Sequence, residues 1–152
     1  MSDRKDPILT YVFLRIEHAT LRPDVVSDLL GVAPTSTGVP GQPAAVARGE
    51  PCKSNVWVLS SMSAVQSKDV GAHFQWLLNF VGSRTSQLEM LREHGCQMQF
   101  HCMWTGIGGY GGPELTPKIL RGLASLAVVV YFDVGIIKPQ SRTIQSGKVS
   151  EG

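Results

Sequence analysis

A chain of 152 residues with 43% apolar and 17% charged residues has the size and composition of one soluble globular domain, large enough to build a core without metal or disulfide staples. Fourteen basic against twelve acidic residues give a net charge of +2, and the surplus sits at the end of the chain, in Lys138, Arg142 and Lys148 against Glu151. The remainder is electrically balanced, which argues against nucleic-acid binding through a concentrated basic face.

The N-terminal Met1 to Pro7 is polar, and the apolar run after it stops at Arg15, so no signal-peptide core is expected. The longest apolar stretch, Leu123 to Ile137, is interrupted by Ser125 and Asp133 and is too short to span a membrane. Three cysteines, Cys52, Cys96 and Cys102, are an odd set suited to a reducing compartment. These features together predict a cytoplasmic protein.

In chain order, Tyr11 to His18 alternates as a strand, with Val12, Leu14 and Ile16 on one face and Tyr11, Phe13, Arg15 and Glu17 on the other. Pro23 suits the first position of a short amphipathic helix carrying Val25, Val26, Leu29 and Leu30, and Gly31 suits its left-handed end. Residues Pro34 to Asn55, with four prolines and three glycines, read as a long loop. Val56 to Leu59 is a short strand apolar on both faces, which predicts cover on both sides. Asp69 to Gly95 reads as two helices parted at Gly82 and Ser83, the second opening on a capping box of Ser86 and Glu89. Cys96, Met98, Phe100, Cys102 and Trp104 then alternate with Gln97, Gln99, His101 and Met103 in the clearest strand of the sequence. After the glycine-rich Gly106 to Gly112, Thr116 and Pro117 begin a helix, and Ala127 to Val134 forms a last strand with two apolar faces.

Two strand-helix-strand units in series predict an α+β, ferredoxin-like split β-α-β sandwich over residues 8–137. It would have an antiparallel four-stranded sheet, a helical insertion between the halves and a flexible polar tail over 138–152. The first and third strands would be central, their helix-free face carrying Tyr11, Phe13, Arg15, Glu17, Gln97, Gln99 and His101, with the inserted helices laid over it.

Leu29-Leu-Gly-Val-Ala-Pro-Thr35, the loop glycine Gly41, Trp57, the helix around His73 to Leu78, and Leu115-Thr-Pro117 ahead of Leu123 to Val134 resemble a bacterial family of domains of unknown function, number 4279. The resemblance covers roughly Tyr11 to Val134. It departs at Val39-Pro40, where the family commonly has a basic residue, which argues against an anion-binding role for that loop. The resemblance implies domain bounds and no chemistry.

No residue set makes a persuasive catalytic centre. Gly106-Ile-Gly-Gly-Tyr-Gly111 matches a dinucleotide fingerprint in spacing, but Pro113, Glu114 and the Thr116-Pro117 cap postpone the helix whose N-terminus should meet the phosphates. Strand alternation sends His101 and Cys102 to opposite sides and no C-x-x-C pair exists, so no metal and no other cofactor is expected. Cys52, near the cation Lys53, is the more reactive thiol. Glu17, His18, His101 and Asp133 could gather acid-base groups, against the plainer reading that Arg15 pairs with Glu17 or Asp133 on a wet strand face. Tyr11 and Phe13 suggest a base-stacking platform, which the glutamines of the third strand and the neutral charge contradict.

What remains is a non-enzymatic module recognising a protein partner, its narrower form being a toxin-neutralising immunity protein, with contact borne by the two irregular segments through Arg48, Lys53 and Tyr110. A small-ligand sensor is the alternative, and an enzyme on a small substrate stands third.

Overall fold

The computed structural model describes residues 6–42, 53–108 and 111–138. In order these form β1 (Leu9–His18), α1 (Pro23–Leu30), β2 (Ser36–Gly38), β3 (Asn55–Ser60), α2 (Val70–Gly82), α3 (Thr85–Glu93), β4 (Gln97–Ile107), α4 (Pro117–Leu126) and β5 (Val129–Ile137). The chain is α+β, as composition and patterning predict.

The sheet corrects the four-stranded antiparallel, ferredoxin-like expectation: it has five strands in the order β2-β3-β1-β4-β5, with β4 and β5 parallel and the other pairs antiparallel. The central pair β1 and β4 is as expected, but the flanking strands have exchanged places. In a ferredoxin-like sheet each crossover helix returns its strand beyond the other central strand. Here β3 returns beside β1, and α4 carries β5 alongside the strand that precedes it, which makes that pair parallel. The extra strand β2 comes from the expected loop, where Ser36–Gly38 pairs with Val56–Val58 and Thr35 joins the ladder through both its backbone N–H and its hydroxyl.

One core fills the space between a helical layer and one sheet face. Val12, Leu14 and Ile16 of β1, Trp57 and Leu59 of β3, and Phe100 and Cys102 of β4 meet Val26 and Leu30 of α1, Phe74, Leu77 and Val81 of α2, Leu88 and Leu91 of α3, and Ile119 and Leu123 of α4. The inserted helices α2 and α3 therefore lie on the same side as α1 and α4, not over the opposite face, because their apolar stripes complete this single core.

The local signals are read out as sequence chemistry dictates. Pro23 opens α1 and Gly31 ends it at φ 68°. The Thr116 hydroxyl caps α4 by accepting from the Ile119 N–H. The Ser86–Glu89 capping box does not form: α3 begins at Thr85, two residues too early for Ser86 to be its cap. Arg84 occupies that position, and its side chain instead donates to the carbonyls of Leu30 and Phe80 at the ends of α1 and α2, bolting three helices together. Among the described residues no helix is long and apolar enough to cross a membrane.

Candidate interaction surface

The helix-free sheet face carries the side chains that alternation assigns to it. Arg15 pairs with Glu17 at 3.1 Å, and Glu17 also accepts from the Ser54 hydroxyl. A row of rings crosses three strands at one register level: Phe13 of β1, His101 of β4 and Tyr131 of β5. Phe13 and His101 stack with centroids 4.7 Å apart and planes 1° from parallel, and His101 and Tyr131 follow at 5.1 Å and 20°. Phe13, Val56 and Val58, with Tyr11 and Met103 against them, make a second small apolar cluster here. Burial first, and then the Arg15 guanidinium, push the His101 imidazole below its usual value, so the ring is neutral at pH 7. Its Nε2–H donates to the Gln99 side-chain oxygen at 3.0 Å.

The row ends at β5, which is the most unusual element of the surface. Val129, Tyr131, Phe132, Val134, Ile136 and Ile137 are each 46–55% exposed. They point to both sides of the sheet, since Tyr131 shares the level of His101 and Phe132 that of Cys102. Among the described residues no strand pairs with the outer edge of β5. The expectation of a strand with two apolar faces holds, but apolar residues on both faces remain half in water.

The remaining candidate groups do not converge. His18 is absorbed in the turn after β1, accepting at Nδ1 from the backbone N–H groups of Thr20 and Leu21 and donating from Nε2 to the His94 carbonyl. Asp133 is exposed on β5, while Arg15 is paired within its own strand, so Glu17 rather than Asp133 is the arginine's partner. Cys96 and Cys102 are buried, and burial raises both thiols, Cys102 to about 12, which leaves neither as a nucleophile. Among the described residues no three His, Cys, Asp or Glu side chains gather in a way that could hold a metal ion.

The glycine-rich segment fails the geometric test of a dinucleotide loop. Gly106 lies within β4, where a Cβ would come within 2.5 Å of the Trp104 ring, so it is glycine to admit the indole. The chain from Gly111 to Thr116 is not helical, and α4 starts only at Pro117. Of the residues expected to contact a partner, Lys53 is exposed at the approach to β3, while Arg48 and Tyr110 lie outside the described residues, as do Cys52 and the tail from 139 onward.

Sequence reasoning missed a buried polar relay. The Ser61 hydroxyl lies 2.7 Å from Nδ1 of His73, whose Nε2–H donates to the Ser67 carbonyl at 2.7 Å. The same hydroxyl oxygen accepts from the Val12 N–H, just past the end of β3. A serine donating to an imidazole is the pairing that activates a nucleophile, yet Ser61 and His73 are 0% and 1% exposed, so no substrate reaches them. Their role is to close the sheet ladder and tie it to α2. No motif at their spacing could have announced it.

One cleft of about 110 Å³ opens between α3, the end of α4 and the sheet, floored by Leu14, Met98 and Phe100 and rimmed by Thr85, Glu89 and Arg92. Arg92 is committed there to Glu89 and to the Leu126 carbonyl.

Residues 8–136 match the family described as a domain of unknown function, DUF4279, and the chain belongs to that family. No curated protein and no solved structure matches the chain.

Proposed function

We infer that this domain is a non-enzymatic module that recognises a protein partner, and that it does so along the β5 margin of its sheet. The observation that carries the reading is β5 itself: nine residues, one charge, six large apolar side chains about half exposed and an unpaired outer edge among the described residues. Such an edge templates strand addition, and a contiguous apolar patch of this kind marks an interaction site. The described titratable and nucleophilic groups, by contrast, are buried, paired or scattered. Arg48, Lys53 and Tyr110 stay in this reading as proposed contacts outside the β5 margin: Lys53 stands at the approach to β3, with β1 and β4 between it and β5. Toxin neutralisation is its narrower form, with a toxin domain as the partner.

Among the described residues, the small-ligand reading draws on the cleft beside Arg92. Its 110 Å³ falls short of the roughly 150 Å³ that accommodates benzene, so it suits at most a very small apolar molecule.

A photo-crosslinking residue placed in the full chain at Phe132, and in parallel at Met62 and at Lys53, tests the surface. Met62 is 53% exposed and apolar and lies in the turn between β3 and α2, outside β5 and outside the two irregular segments expected to bear contacts. Adducts at position 132 and none at 62 support the reading. Adducts at 53 alone would move recognition to the loop, and adducts at none of the three would remove the protein-partner reading.

A further inference from the structure

We propose that the outer edge of β5 is occupied by β5 of a second copy of this chain, antiparallel about a two-fold axis near Phe132, which joins two five-stranded sheets into one. The proposal rests on the protein-partner reading of β5 and names the partner.

The surface involved is that of a permanent interface. Only Asp133 among Val129–Ile137 is charged, and depletion of charge together with apolar character distinguishes interfaces between obligate partners from transient ones. Six large side chains left half exposed amount to on the order of 500 Å² per copy, so a symmetric pair has at most about 1,000 Å² of apolar side-chain surface to cover, to which the paired backbone edges add, near the lower bound for a specific interface. A strand-addition site built for a foreign peptide would offer pockets for alternate side chains. The β5 edge offers protruding side chains on both faces, and these are matched most directly by the same side chains returning in the opposite direction.

Symmetry and charge select the register. In a two-fold antiparallel pair, facing residues lie on the same side of the sheet, so odd positions face odd and even face even. Centring the pair on Asp133, the midpoint of β5, would set two carboxylates against each other, which is unfavourable. Centring it on Phe132 sets Phe132 against its own counterpart, Val130 against Val134, and Asp133 against Tyr131, whose hydroxyl can donate to the carboxylate. Apolar then meets apolar at each of the even positions from 130 to 134.

Sedimentation of the full chain from low micromolar to several hundred micromolar provides the test, alongside hydrogen exchange at the β5 amides. Variants Val134→Arg, and Phe132→Cys or Val129→Cys in a Cys52→Ser background, complete it. A species of two chains, weakened at least ten-fold by Val134→Arg, with Phe132→Cys joining the copies through a disulfide and Val129→Cys not, is the expected result. A two-chain species that Val134→Arg leaves intact, or that Val129→Cys joins in place of Phe132→Cys, overturns the proposal. A single-chain species with fast-exchanging β5 amides overturns the second copy but leaves the edge open to a foreign protein. A single-chain species with protected β5 amides overturns both, since the edge would then be covered by the chain itself.

Discussion

Ser61 and His73 stand twelve positions apart, and each is held by what the other leaves unsatisfied. Replacing Ser61 by alanine removes the acceptor of the Val12 N–H and the hydroxyl donor to the imidazole at once, inside a core from which water is excluded. A buried group left without a partner costs about 1–3 kcal/mol, so Ser61→Ala should lower unfolding stability by about 2 kcal/mol or more, measured by urea denaturation. A loss no greater than that of an exposed Ser63→Ala control would show that the relay is dispensable. Ala127 is strained in the opposite sense: it ends α4 at φ 52°, the one described non-glycine residue in the left-handed region. Ala127→Gly should raise stability by about 0.5–1 kcal/mol, because relief of the Cβ clash outweighs the extra freedom glycine brings to the unfolded chain. His101 adds a pH dependence. Its folded-state value is lowered, by burial and then by Arg15, so below the usual histidine value near 6.5 the unfolded chain binds the proton more readily than the folded one. Stability at this site is therefore present above about pH 6.5 and declines as the pH falls through and below it. A His101→Phe variant, which keeps a ring between Phe13 and Tyr131, should show a shallower loss of stability between pH 7 and 5 in parallel denaturation curves.

At the scale of elements, the strands and helices were legible where a short-range rule decides them. The alternation in β4 buries Phe100, Cys102 and Trp104 and half-buries Met98, with Cys96 buried just ahead of the strand, and the prolines of α1 and α4 and the Thr116 cap mark their starts. Phe100, fully buried among both central strands and the helices, gives the measurable form of that success: Phe100→Ala should cost about 3–5 kcal/mol in urea unfolding. Strand order was not legible, because β3 and β5 are both apolar on two faces and nothing local says which central strand either will join. The same ambiguity hid the surface proposed for recognition. A strand apolar on both sides reads identically whether its own chain covers it, as with buried β3, or leaves it half exposed, as with β5. The α3 cap failed for a different reason, a shift of two residues that accompanies the tertiary contacts of Arg84.

At the scale of the whole fold, the described helices and sheet have a sealed side and, among the described residues, an open one, and stability should be graded accordingly. β1 pairs on both edges, with β3 and with β4, and so does β4, with β1 and β5, so the amides of β1 are enclosed in the middle of the sheet. Its partners are brought in from far along the chain, as with Leu9 and Thr105, so these pairings exist only once the global fold does. Hydrogen exchange at low protein concentration should therefore find the amides of Val12 to Ile16 and of Phe100 to Trp104 exchanging only through global unfolding. β2, three residues long at one margin, should open first. β5 should behave conditionally: bonded on one edge only, its outward amides should exchange quickly in dilute solution and slow as concentration rises, while those of β1 stay unchanged. Uniform protection of β1, β2 and β5 at all concentrations would contradict both the graded sheet and the pairing of its open margin.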